Sequence, residues 1–134
     1  MKAYSPLFLF VALIVAIGCK KDNVTSQKLQ GNYTGRLVTQ GVQSTPGVID
    51  FKVEITGNNY HAFPTTGLLP LGSKGTFALN NNNQIAFTDS LVHTANFNWS
   101  LLLSGTYSAE YKGDSLILVK GGDGYSYSYR LKKQ

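Results

Sequence analysis

From Gly31 onward, apolar and polar residues alternate with a period of two, the spacing of half-buried β-strands. Residues 48–56 carry it most clearly. Ile49, Phe51, Val53 and Ile55 point one way; Asp50, Lys52, Glu54 and Thr56 point the other. Before this segment, Gly31 to Gln43 places Tyr33, Gly35 and Leu37 on one parity and ends in a Ser44-Thr45-Pro46-Gly47 turn. After it, Gly57-Asn58-Asn59 makes a hairpin turn, and Tyr60 to Thr65 is a shorter strand interrupted by Pro64. Gly67 to Ser73 reads as a loop carrying Leu68, Leu69 and Leu71. Lys74 to Leu79 and Gln84 to Asp89 pair across an asparagine-rich turn.

The C-terminal third is more regular still. Phe97, Trp99, Leu101 and Leu103 alternate with mostly polar neighbours, predicting a strand. Tyr107, Ala109 and Tyr111 form the next, Ser115 to Lys120 another, and Tyr125, Tyr127, Tyr129 and Leu131 the last. A short helical turn fits Ser90 to Ala95; elsewhere after Lys28 no 3.6-residue period stands out. The expectation is an all-β domain of eight or nine strands. Tight turns make consecutive strands antiparallel neighbours, an up-and-down meander that closes into a barrel and so removes its edges. A two-sheet β-sandwich is the alternative, disfavoured because nearly every link is a short hairpin.

The N-terminus follows another pattern. Leu7 to Ile17 is unbroken apolar sequence behind Lys2, and Gly18, Cys19, Lys20, Lys21 and Asp22 follow. The run is too short to span a bilayer but fits the core of a secretory signal peptide. Ala16-Ile17-Gly18-Cys19 resembles a bacterial lipobox, with alanine where leucine is usual. That resemblance implies cleavage before Cys19, a thioether from its sulfur to diacylglycerol, and acylation of the freed amine. One chain binds membranes marginally; two or three hold a protein there. A plain secretory signal and an uncleaved anchor helix are the other readings. Lys20 after the cysteine resembles the pattern for sorting to the outer membrane, facing the periplasm or the surface. The expected division is signal peptide 1–18, lipidated tether 19–28 and barrel domain 29–134.

Composition narrows the rest. The mature 116 residues keep 11 basic and 7 acidic side chains, a formal charge of +4 that is scattered, arguing against a nucleic-acid site. Cys19 is the only cysteine, so once lipidated it leaves no disulfide and no thiolate metal site. No cofactor is implied.

Leu29-Gln30-Gly31-Asn32-Tyr33 resembles the first-strand Gly-x-Trp motif of the lipocalins, with tyrosine for tryptophan. Arg130 sits where that family stacks an arginine on the aromatic at the barrel's closed end. The block from Trp99 through Tyr107, Gly113-Asp114-Ser115-Leu116 and Tyr129-Arg130-Leu131 is similar to small lipocalin-like bacterial lipoproteins. The resemblance implies a calyx for a small apolar ligand or lipid, lined by Tyr33, Phe51, Phe97, Trp99, Tyr107, Tyr111, Tyr125, Tyr127 and Tyr129. Those rings serve equally to fill an eight-stranded barrel, which is only just wide enough for its own side chains or one small ligand. The alternative is therefore a protein-interaction or structural module with a filled interior, using the Leu68, Leu69 and Leu71 loop as lid or partner surface. Catalysis is not expected. His61 and His93 stand apart in sequence, Asp50 and Glu54 flank Lys52 on a wet strand face, and Gly121-Gly122-Asp123-Gly124 reads as a hairpin turn.

Overall fold

The computed structural model describes residues 23–41, 46–66, 72–80, 83–97 and 99–134. The lipobox residues Ala16, Ile17, Gly18 and Cys19, and the loop residues Leu68, Leu69 and Leu71, lie outside these. A short helix α1 (Ser26–Leu29) precedes eight strands: β1 (Gly31–Gly41), β2 (Gly47–Thr56), β3 (Asn59–Pro64), β4 (Ser73–Asn80), β5 (Gln84–Asp89), β6 (Gly105–Lys112), β7 (Ser115–Gly122) and β8 (Tyr125–Lys133). Each strand pairs antiparallel with the next, and β8 returns to β1 through the register Tyr33↔Lys133 to Gly41↔Tyr125, closing the barrel.

Alternation drives the wall. In β2, Phe51, Val53 and Ile55 are buried while Lys52, Glu54 and Thr56 are exposed. Closure needs sharp bends, and glycines inside strands supply them. A Cβ at Gly35 would lie 1.9 Å from the Arg130 carbonyl oxygen, and one at Gly75 would lie 1.9 Å from that of Thr88. Both obstacles are backbone of the neighbouring strand and cannot yield, so only glycine fits.

Phe97 and residues 99–103 do not form a strand, contrary to their alternation. They hold a 3₁₀ turn at Trp99–Leu101 within the 90–104 connection. The reason lies in the ladder: β5 pairs directly with β6, from Gln84↔Ser108 to Phe87↔Gly105, and leaves no slot between them. Around residues 90–95 the chain forms a turn at Ala95 and Asn96, closed by Phe97 N donating to Thr94 O at 3.0 Å.

Residues 24–29 do more than tether. Thr25 caps α1, its Oγ1 accepting from Lys28 N at 3.2 Å. Val24 and Leu29 are buried, Leu29 completely. Gln30 clasps the β2–β3 turn, with Gly57 N donating to its Oε1 at 2.6 Å and its Nε2 donating to Gly57 O at 2.9 Å. The ordered body thus begins before the Leu29 boundary. α1, the Gly57-Asn58 and Gly113-Asp114 turns and the C-terminus together close one end of the barrel. The end of β3, the start of β4, the 90–104 connection and the Asp123-Gly124 turn lie at the other end, the mouth.

Candidate functional site

The barrel interior is built from inward residues of all eight strands. Edge-to-face ring contacts cross it from Phe51 to Tyr129 (5.2 Å), Tyr129 to Tyr107 (5.8 Å), Tyr107 to Phe87 (5.9 Å) and Phe87 to Tyr60 (5.0 Å). Of the nine aromatics expected inside, Tyr33, Phe51, Tyr107, Tyr111 and Tyr129 are buried in this core. Tyr60, Phe77 and Phe87 join them. Their parity with Ala62, Leu79 and Ile85 in short strands was the available signal.

At the closed end the tyrosine hydroxyls do the work of a helix cap. The last carbonyls of α1 lack intrahelical donors. Tyr33 Oη lies 2.9 Å from Leu29 O, Tyr111 Oη lies 2.9 Å from Lys28 O, and the two hydroxyls are 2.7 Å apart. Tyr33 Oη also lies 3.4 Å from Lys28 O, so two hydroxyl protons serve four contacts, and Lys133 Nζ adds a donor to Lys28 O at 3.2 Å. The cation over the Tyr33 ring is this Lys133, 5.9 Å from its centroid, not Arg130. Arg130 faces outward, opposite Arg36 and Ile117, because it is one residue out of phase with the buried Tyr129 and Leu131. Burial raises the pKa of Tyr33, Tyr107, Tyr111 and Tyr129, and pushes that of Tyr60 to about 12.

At the mouth, the 90–104 connection plugs the barrel. Leu103 is fully buried, its N donating to Ser73 Oγ (3.1 Å) and its O accepting from Tyr60 Oη (2.7 Å). The approach to this plug is stiffened by a pair that sequence reasoning left apart. Asp89 Oδ2 meets His93 Nε2 at 2.5 Å, both side chains being nearly enclosed, and Asp89 Oδ1 accepts from Lys74 N at 2.9 Å. The His93 ring lies 4.1 Å from that of Phe97 and 5.7 Å from that of Trp99. With its side chain only 3 % exposed, His93 cannot reach a substrate and acts as a brace.

Phe97 belongs to this side cluster rather than to the interior, and Trp99 is 60 % exposed. Tyr125 (46 % exposed) and half-buried Tyr127 stand across from it, their rings 5.3 Å apart. The sequence assigned Trp99, Tyr125 and Tyr127 to the cavity; the structure brings them together at its rim. They border a cleft of about 130 Å³ with Ser100, Tyr107 and Lys120. An adjoining hollow of about 230 Å³ shares Ser100, Tyr125 and Tyr127 and reaches Thr39, Gln40 and Ser126. Lys120, an inward position of β7, donates from Nζ to Ser104 O at 2.7 Å, with the Tyr107 and Tyr127 rings 5.1 and 5.6 Å away. Desolvation lowers its pKa below the usual lysine range.

A larger hollow, about 590 Å³, runs along the outer wall beside Gly35 between Arg36, Arg130, Lys112 and Lys132. Arg36 and Lys132 there already pair with Asp50 (3.3 Å) and Asp114 (3.4 Å). His61 lies on the outer wall 3.8 Å from Glu54. Among the described residues no three of His, Cys, Asp and Glu gather closely enough to hold a metal. Comparison with protein families, curated proteins and solved structures finds no significant match.

Proposed function

We propose that this is a non-enzymatic lipoprotein of the bacterial outer membrane, anchored through Cys19, whose lipocalin-like barrel has a filled interior and offers its mouth for recognition. The observation that carries the reading is the placement of the two ends. Asn23 leads into the closed end, four residues after Cys19, and four residues reach at most about 14 Å. Lipid on Cys19 would hold the closed end against the headgroups, beside Lys28, Lys132 and Lys133, and turn the aromatic mouth away from the bilayer.

A ligand inside the barrel is the weaker reading. None of the hollows described above has Tyr33, Phe51, Tyr60, Phe87 or Tyr129 in its lining. Recognition of a small molecule or an envelope protein therefore falls to the mouth. The test is Cys19→Ser in the host with labelled fatty acid. The wild-type chain should carry label and sediment with membranes, and the variant should do neither. Label on the variant would end the anchoring reading.

A further inference from the structure

We infer that the mouth cleft is a saccharide site, in which sugar rings stack on Trp99 and Tyr125 while Lys120, Gln40, Thr39 and Ser126 meet their hydroxyls. The inference deepens the recognition half of the proposed function and is independent of the Cys19 half.

Three features point to this chemistry. The first is exposure without a folding reason. Trp99 and Tyr125 are the two exposed aromatics of the described chain, and they face one cleft from the 90–104 connection and from the start of β8. Folding gains from burying such rings at about 25 cal/mol per Å². Two left out at one place are available to a partner.

The second is rigidity. Trp99 is seated on a 3₁₀ turn and packed edge-on against Phe97 at 5.7 Å. His93 lies under the same ring and is held by Asp89. A fixed platform spares the ligand the cost of ordering it.

The third is the alternation of ring faces with hydroxyl and amide groups. An alkyl chain or a flat apolar ring would cover Gln40, Thr39 and Ser126 and leave their polar atoms without partners, at a cost for each. A pyranose offers an apolar C–H face to the aromatic and a rim of hydroxyls to those groups. Of the three N–H donors on Lys120, Ser104 O takes one, which leaves others for a sugar oxygen. The two hollows, about 130 and 230 Å³, share Tyr125 and Tyr127, so consecutive sugar rings would lie on either side of that pair.

Trp99 is the only tryptophan in the chain, so its fluorescence reports on this cleft alone. The full chain, extracted in a zwitterionic detergent without a sugar headgroup, is titrated with cellotriose, maltotriose, triacetylchitotriose and trigalacturonate at millimolar concentration. Benzoate serves as a planar ligand without a hydroxyl rim. At least one trisaccharide should shift Trp99 emission saturably while benzoate does not. Tyr125→Ala and Lys120→Met should each weaken that response about tenfold, with the far-ultraviolet circular dichroism of both variants unchanged as the check on folding. Silence with all four sugars, saturation by benzoate instead, or an undiminished response in folded Tyr125→Ala each overturns the inference. A silent titration of a protein that Cys19→Ser releases from membranes sinks the saccharide site and leaves the anchor standing.

Discussion

Raising the pH should unfold this protein through its tyrosines. Tyr33, Tyr60, Tyr107, Tyr111 and Tyr129 are each no more than 6 % exposed, and burial raises the pKa of all five. The fold favours the neutral phenol, so the stabilisation is complete below pH 10, the unfolded value. It is lost as pH climbs toward and through the folded values. For Tyr60, held at about 12, the loss across that window is about 3 kcal/mol. At pH 11 an unfolded tyrosine is about nine-tenths ionised, so each ring kept neutral by the fold costs it about 1.4 kcal/mol. If Tyr60, Tyr107 and Tyr111 stay neutral there, they remove about 4 kcal/mol, and Tyr33 and Tyr129 add in the same direction, against a whole stability of about 5–15 kcal/mol for a small domain. Cooperative unfolding is therefore expected between about pH 11 and 12. The assay follows tyrosinate absorbance at 295 nm beside far-ultraviolet circular dichroism. A late block of tyrosine ionisation should coincide with loss of the β signal. Should every tyrosine ionise below pH 11 with the β signal intact, the interior is neither filled nor dry, and the reasoning fails.

Three further substitutions test the packing. Gly35→Ala drives a methyl into the Arg130 carbonyl and should cost about 3 kcal/mol or more in urea unfolding. Gly57→Ala, at φ 61° with open space around it, should cost only about 1 kcal/mol. Tyr111→Phe removes a donor from the buried carbonyls of α1 and should cost about 1–3 kcal/mol. It should also speed amide exchange in residues 24–29 by hydrogen–deuterium exchange, while the β2 amides keep their protection.

Much of the wall was legible residue by residue. Ile49 to Thr56 and Tyr125 to Leu131 alternate without a break, and the short Gly57-Asn58, Gly113-Asp114 and Asp123-Gly124 links leave antiparallel neighbours as the simple solution. Where periodicity misled, it did so for want of a partner. Phe97, Trp99, Leu101 and Leu103 carry strand spacing, yet β5 and β6 already occupy each other's edges. Val24 and Leu29 are two apolar residues in a polar stretch, too few to announce a plug. Their burial depends on Tyr111 and the Gly57 turn arriving from elsewhere in the chain to meet Lys28 and Gln30.

What the amino-acid order alone determined here is local: the period of two, the turn residues, and which rings share a parity. A β-strand records those facts in its own side-chain alternation. What needed the tertiary structure is which end of a strand a residue occupies, and therefore whether an inward ring fills the core or borders the mouth. Tyr125, Tyr127 and Tyr129 are equivalent by parity, but they pass from exposed to half-buried to fully enclosed along β8. Depth along the barrel axis depends on strand tilt and on the 90–104 connection folding over the opening. It is a property of the closed cylinder, and no single strand encodes it.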